Sequence, residues 1–426
     1  MKTAELKQAL AGTTLDSRFC EIYGSAALET QKARYLHAVE EFEKLYGADR
    51  EAALYSVAGR SELSGNHTDH NHGCVIAASI DLDIIAVASP SAGSVIRVKS
   101  EGFPEDVVDF GVYNAPNPAR YEKSDSLIAG MVAGFRKEGL AVGGFDAYTT
   151  SNVLKGSGIS SSAAFEDMIG NILNYVYNDG KVSNVEIAKL AQYAENRFFG
   201  KPCGLMDQMA CAVGGIIAID FRDPSAPVIE QTDFDLSTAG YNLCIVNTGG
   251  NHADLTGDYA SVPAEMKSVA AYFGKEVLRD TDENAVLAAI PALREKVGDR
   301  AILRALHFFA ENRRVAAQKA ALKAGDLDTF LANVIASGRS SFCYLQNVYT
   351  TKNVSEQGLS LALCLAERVL SGKRAAWRVH GGGFAGTIQA FVPTEDVAEF
   401  RAVMDAAFGE GRCMVLRVRP EGALRV

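Results

Sequence analysis

The sequence predicts an α+β protein of two domains, on three observations. Its 426 residues exceed what one hydrophobic core usually organises. β-type runs and amphipathic helical runs are interspersed along the chain, and an α+β layer arrangement is the simplest reading of them. A polar stretch at residues 233–240 separates the halves, so the boundary is expected at 233/234, with domains spanning 1–233 and 234–426.

Taken in order, residues 1–47 read as largely helical and charged, with Tyr35, Val39, Phe42 and Leu45 spaced to dock one face on a core. A strand is expected over 54–58, broken by Gly59-Arg60 into a polar loop over 61–73. Short strands follow at 74–80, 84–88 and 95–98. Asp125 and Ser126 suit the start of a helix carrying Leu127, Ile128, Met131, Val132 and Phe135, which Gly139 ends. A strand over 145–151 leads into Leu154-Lys155-Gly156-Ser157-Gly158-Ile159-Ser160-Ser161-Ser162-Ala163-Ala164. Beyond it, Phe165, Met168, Ile169, Ile172, Leu173 and Val176 keep the spacing of one helical face. Ser183-Asn184-Val185-Glu186 is a capping box for a helix that reaches about Phe198 and carries Glu195. After a strand at 214–220, the second half offers strands at 243–246, 375–379, 387–391 and 414–418, and helices over 303–322, 355–370 and 397–408. No internal repeat interrupts this order.

Composition narrows the function. With 48% hydrophobic and 22% charged residues, the chain reads as an ordinary globular protein. A net charge of −10 argues against a duplex nucleic-acid binder or a partner for anionic membranes. Eight scattered cysteines without a C-x-x-C pair read as reduced thiols of a cytoplasmic protein. Neither a signal peptide nor an apolar run of membrane-spanning length is apparent.

Three stretches carry chemistry. The Gly-Ser turn before a helix is a candidate anion cradle: small residues let backbone approach a ligand, and the first helical amides lack partners. It is not a Walker loop, because Ile159 follows Gly158 where Lys is required. A plain helix-capping turn is the competing reading. The loop His67-Thr68-Asp69-His70-Asn71-His72 suggests a metal, but no companion cluster supplies further ligands, so a polyol-binding or solvated loop fits better. Asp207, between Gly204 and Gln208, is either a helix-capping carboxylate or the acceptor of a hydroxyl proton in phosphoryl transfer.

In order and separation, residues 59–73, 155–164 and 381–387 resemble the three signature motifs of the GHMP small-molecule kinases. The run Pro202-Cys203-Gly204-Leu205-Met206-Asp207-Gln208 is similar to the galactokinase branch of that family. The resemblance implies a ribosomal-protein-S5-like N-terminal domain and a ferredoxin-like C-terminal domain with ATP and sugar between them. It further implies that Gly156, Ser157, Gly158, Ser160, Ser161 and Ser162 wrap the nucleotide phosphates. Ser162 and Glu195 would hold Mg²⁺, which prefers hard oxygen donors. Asp207 would receive or orient the proton of the sugar O1, with Arg60 beside it lowering its pKa and steadying developing charge. His67, Asp69, Gly204 and Tyr259 match sugar-contacting positions.

The chain departs from the family pattern Gly-Arg-Val-Asn-Leu-Ile-Gly-Glu-His-Thr-Asp at Ser61, Glu62, Ser64 and Asn66. The family Glu faces the C6 end of the sugar, so a neutral Asn66 predicts an altered C6 preference, with galacturonate the variant to test. The reading is therefore an ATP- and magnesium-dependent sugar 1-kinase acting on galactose, as monomer or homodimer. Alternatives are a kinase for galacturonate, galactosamine or N-acetylgalactosamine, a non-catalytic sugar and ATP sensor, and a zinc hydrolase.

Overall fold

The computed structural model describes residues 1–153, 161–201, 203–250 and 255–426. Three helices come first, α1 (Thr3–Ala11), α2 (Asp16–Tyr23) and α3 (Leu28–Tyr46). Tyr35, Val39 and Phe42 dock as expected, but Leu45 is exposed because it lies past the buried stripe. Strand β1 (Ala53–Ser64) runs straight through Gly59-Arg60, contrary to the expected break there. The predicted pair at 74–80 and 84–88 is one long strand, β2 (Cys74–Ser91). Both corrections have one cause. β1 pairs with β2 from Ala53 to Ser64, against Ile76 to Ala88, across register shifts between Ala58 and Gly59 and between Glu62 and Ser64, so ladder hydrogen bonds override the local turn signals.

Next come β3 (Val95–Ser100), β4 (Glu105–Asp109), α4 (Ser124–Lys137) and β5 (Gly144–Ser151). They are followed by α5 (Ser161–Tyr177), α6 (Asn184–Ala194), α7 (Met206–Val213), β6 (Ile216–Asp220) and β7 (Val228–Thr232). The Ser183–Glu186 capping box forms, and α6 continues into a wide π turn over Glu195–Phe199. Strand β8 (Tyr241–Asn247) opens the second half, then α8 (Thr256–Tyr272), α9 (Glu283–Ala288), α10 (Ile290–Lys296), α11 (Asp299–Ala324), α12 (Leu327–Ser340) and α13 (Gly358–Leu370). Strands β9 (Ala376–His380) and β10 (Thr387–Pro393), helix α14 (Val397–Phe408), and strands β11 (Cys413–Leu416) and β12 (Ala423–Arg425) complete it.

Two sheets result. The first has eight strands in the order β12-β1-β2-β5-β3-β4, with β6 pairing the far end of β2 and β7 pairing β6. Helices α1–α3 cover one face through a core around Phe19, Tyr35 and Phe42, and α4–α7 cover the other around Met168, Ile172 and Met209. The second sheet is antiparallel, β11-β8-β10-β9, the strand order of a ferredoxin-like domain. A shared core with Leu63, Ile76, Leu243, Phe330 and Phe391 joins the two. The last strand crosses back, pairing β12 with β1 at Tyr55–Val57. Among the described residues, no helix is long and apolar enough to cross a membrane.

The cysteines are only partly the core thiols expected. Cys211, Cys244 and Cys413 are buried, whereas Cys343 and Cys364 are exposed on helical surfaces.

Candidate active site

The register shift in β1 sets which side chains reach the site. Before it, Tyr55 and Val57 face the α4–α7 layer; after it, Arg60 pairs with Ser79, whose hydroxyl donates to Ala210 O of α7. Arg60 and Glu62, two residues apart, therefore share one face of the strand. Both line a cavity of about 250 Å³ with His67, Asp69, His70, Lys201, Cys203, Gly204, Met206, Asp207, Gly381 and Gly382. That is below the roughly 300–1,000 Å³ of drug-sized sites and suits a single sugar ring. A larger opening of about 430 Å³, around Phe308, Arg279 and Lys319, lies away from these groups.

Arg60 and Asp207 form a bidentate ion pair: Nε donates to Oδ1 and Nη2 to Oδ2, each at 2.9 Å. Arg60 is 7% exposed, and 36% of the Asp207 side chain is open to the cavity. Burial alone would favour a neutral guanidine, yet the Asp207 carboxylate outweighs it and the Arg60 pKa is raised. The pair is thus a fixed cation with a partly open carboxylate on it. Asp207 sits in the first turn of α7, where the helix dipole favours a negative charge.

The polar loop closes the opposite wall. His67 Nε2–H donates to Gly382 O at 2.8 Å, which leaves Nδ1 as an acceptor, and burial holds its pKa down at about 4. Asp69 Oδ2 faces Gly204 so closely that an added Cβ there would sit 2.7 Å from it, which explains glycine at 204. His67, Asp69 and Gly204 thus all line the cavity. Tyr259 stands behind it: its hydroxyl donates to Gly383 O at 2.9 Å, and its ring packs against Gly382. Among the described residues, no group of three His, Cys, Asp or Glu side chains could hold a metal ion.

Asn66 is not on the wall. It is fully buried, and its Nδ2 donates to Gly381 O at 2.7 Å and Glu62 Oε1 at 3.2 Å. Its Oδ1 accepts from Ser341 Oγ at 3.2 Å and Asn347 Nδ2 at 2.9 Å. With both ends of its amide used, Asn66 is withheld from a ligand, and the expected C6 contact must be reassigned.

Beside α7, the Gln208 Nε2 amide donates to Glu195 Oε2 at 2.7 Å and Glu166 Oε2 at 3.2 Å. Lys201 Nζ is 3.2 Å from Glu195 Oε1. Glu166 Oε1 is buried and has no hydrogen-bond partner among the described residues. Burial first, and the Glu195 charge second, push the Glu166 carboxyl well above its ordinary range. Ser162 lies one helical turn before Glu166, on the same face of α5. Ser162, Glu166 and Glu195 are hard oxygen donors, the kind Mg²⁺ prefers. Gly156, Ser157, Gly158 and Ser160 of the expected phosphate loop lie outside the described residues.

Glu62, Lys201, Glu166 and Gln208 were not anticipated from sequence. Strand period would have found Glu62 two residues after Arg60, and helical period Glu166 four after Ser162, had either been applied across the turn signals.

The model of the GHMP kinases N terminal domain matches residues 126–215, and that of the galactokinase galactose-binding signature matches residues 40–90. The galactokinase of Streptomyces coelicolor is 32% identical over 378 residues, 87% of this chain and 92% of that protein. The chain belongs to the galactokinase family. The galactokinase of Actinobacillus pleuropneumoniae serotype 3 is 31% identical, over 86% of this chain and 92% of its own length. Among solved structures, Lactococcus lactis galactokinase complexed with galactose shares the fold of this family member at a TM-score of 0.76 and 23% identity, covering 92% of this chain and all of that one. The Methanococcus jannaschii mevalonate kinase is a more distant fold relative, with a TM-score of 0.62 at 15% identity over 86% of this chain and 98% of that one.

Proposed function

We propose that this chain transfers the γ-phosphoryl group of ATP to the anomeric hydroxyl of galactose, giving galactose 1-phosphate. The observation that carries the reading is the Arg60–Asp207 pair on the wall of a sugar-sized cavity. The O1 oxygen bonds to the γ-phosphorus as the bond to the bridging oxygen breaks, ADP leaves with that oxygen, and Asp207 accepts the O1 proton. Arg60 fixes the Asp207 carboxylate through both of its oxygens, so the side chain meets O1 already oriented. His67, Asp69 and Gly204 hold the sugar, with Tyr259 bracing the glycine turn behind it.

Ser162 and Glu195 would hold Mg²⁺, with the Gln208 amide linking Glu195 to Glu166. Gly156, Ser157, Gly158, Ser160 and Ser161 wrap the phosphates. When bound, the ion neutralises phosphate charge. Catalysis here is chiefly positioning and electrostatic stabilisation. The enzyme works in the cytoplasm as a monomer or homodimer, and its domains divide at 233/234 apart from the returning strand β12.

The test is incubation with ATP, Mg²⁺ and, separately, galactose, galactosamine, N-acetylgalactosamine and arabinose, with the phosphorylated carbon located by NMR. Galactose phosphorylated at C1 is expected. Phosphate on another carbon would overturn the assignment, and binding of sugar and ATP without ADP release would make the chain a sensor.

A further inference from the structure

The cavity wall carries a carboxylate that neither the Arg60–Asp207 pair nor the proposed Mg²⁺ ligands use. Glu62 is 5% exposed and lies on the same face of β1 as Arg60. Successive same-face residues of a strand are about 6.6–7 Å apart. Asp207 is held on the Arg60 end of that span by its ion pair and lines the same cavity as Glu62, so a sugar with O1 at Asp207 extends along the wall toward Glu62.

Among the described residues, only one oxygen of Glu62 is used by the protein. Oε1 accepts from Arg378 Nη2 at 2.5 Å and from Asn66 Nδ2 at 3.2 Å. Among the described residues, Oε2 accepts nothing, and it is not among the buried atoms without a partner, so it opens to the cavity. Arg378 is fully buried and also donates to Leu63 O and Val379 O, so its charge is committed to Glu62 and withheld from a ligand. The carboxylate is therefore rigid, ion-paired on one side and an acceptor only on the other.

We propose that Glu62 is the specificity-determining residue of this sugar site: its Oε2 accepts a hydrogen bond from the C6 hydroxyl of a neutral hexose and repels a hexuronate. The proposal rests on the kinase reading above and reverses the expectation drawn from Asn66. Relative to the family pattern, carboxylate and amide have exchanged places between 62 and 66, and they remain hydrogen-bonded to each other. The negative charge has moved onto the wall at 62, not away from it. A site built to bond a hydroxyl discriminates strongly against an analogue lacking it, because its own polar group is left unpaired.

The test compares kcat/KM for galactose, 6-deoxygalactose and galacturonate in the wild type, in Glu62→Gln, and in Glu62→Gln combined with Arg378→Met. The double variant leaves no unpaired buried cation, which protects folding. The wild type is expected to favour galactose over galacturonate by about 10²-fold or more, and over 6-deoxygalactose by about tenfold or more. Both variants should narrow the galactose-to-galacturonate ratio by about tenfold, through KM and not kcat. Equal use of galactose and galacturonate by the wild type, or an unchanged ratio in a folded variant, overturns the role of Glu62 while leaving the kinase assignment intact. Absence of phosphorylation of any sugar by the wild type would instead strike at the kinase reading itself.

Discussion

Replacing Asp207 by Asn keeps the size and shape of the side chain and removes its charge and its capacity to take a proton. Two effects follow, and they differ in size. The first is on stability: Arg60 loses its carboxylate partner while remaining buried. Stripping a buried ion of its partner costs about 3–5 kcal/mol when no water can enter. Here 36% of the Asp207 side chain is exposed, and Asn Oδ1 still accepts from the guanidinium, so about 1–2 kcal/mol is expected. The second is on turnover: a positioned proton acceptor contributes about 10²–10⁴-fold, equivalent to about 2.7–5.4 kcal/mol. The assay pairs kcat from ADP release with the galactose Kd from calorimetry and with a thermal melt. The expected result is a fall in kcat of about 10²–10⁴-fold, a galactose Kd within about tenfold of wild type, and a melting temperature lower by a few degrees. Turnover within about threefold of wild type would refute the role given to Asp207, as would a loss fully explained by failure to bind galactose.

Three other expectations can be checked separately. Glu195→Ala should raise the Mg²⁺ concentration needed for binding of an ATP analogue by about tenfold or more; an unchanged Mg²⁺ titration would remove Glu195 from the metal site. Asp83 is fully buried and joins the N-terminal helices, β1 and the C-terminal segment, since it accepts from Tyr23, Arg34, Ser56 and Arg419. Asp83→Asn should therefore destabilise the fold by about 3–5 kcal/mol in urea denaturation, and a loss below about 1 kcal/mol would contradict that. The His67 pKa is depressed to about 4 by burial, so the unfolded chain binds the extra proton first. The stability contributed by neutral His67 is present above about pH 6.5 and is lost as pH falls toward about 4, by at most about 3 kcal/mol. His307 and His380 are shifted the same way, so the His67 share is the difference between wild type and His67→Gln; identical pH profiles would refute it.

The helices were the most legible part of the chain, because their signals are local. The capping box at Ser183–Glu186 and the apolar face from Met168 to Leu173 appear where the letters place them. The first sheet was legible only in pieces. Gly59-Arg60 looks like a stop signal, and only pairing with β2 over residues distant in sequence carries the strand through it. Glu62 stands out in the letters only as a departure from the family pattern, because a residue in a loop has no face, and the strand gives it one. Asn66 failed for a different reason. Its letter differs from the family pattern at a contact position, but whether it faces the sugar depends on Ser341, Asn347 and Gly381, which lie some 300 positions away and fill its hydrogen bonds. Arg60, Asp207, His67, Asp69 and Gly204 follow from the resemblance to the family's motifs, and the fold brings them to one cavity.

The proposed reaction requires the sugar to lie in this cavity with its reacting oxygen at Asp207. A crystal structure with galactose and a non-hydrolysable ATP analogue tests it directly. O1 is expected within hydrogen-bonding distance of an Asp207 oxygen, and the C6 hydroxyl on Glu62 Oε2. Galactose bound elsewhere, or turned so that another hydroxyl meets Asp207, would contradict it.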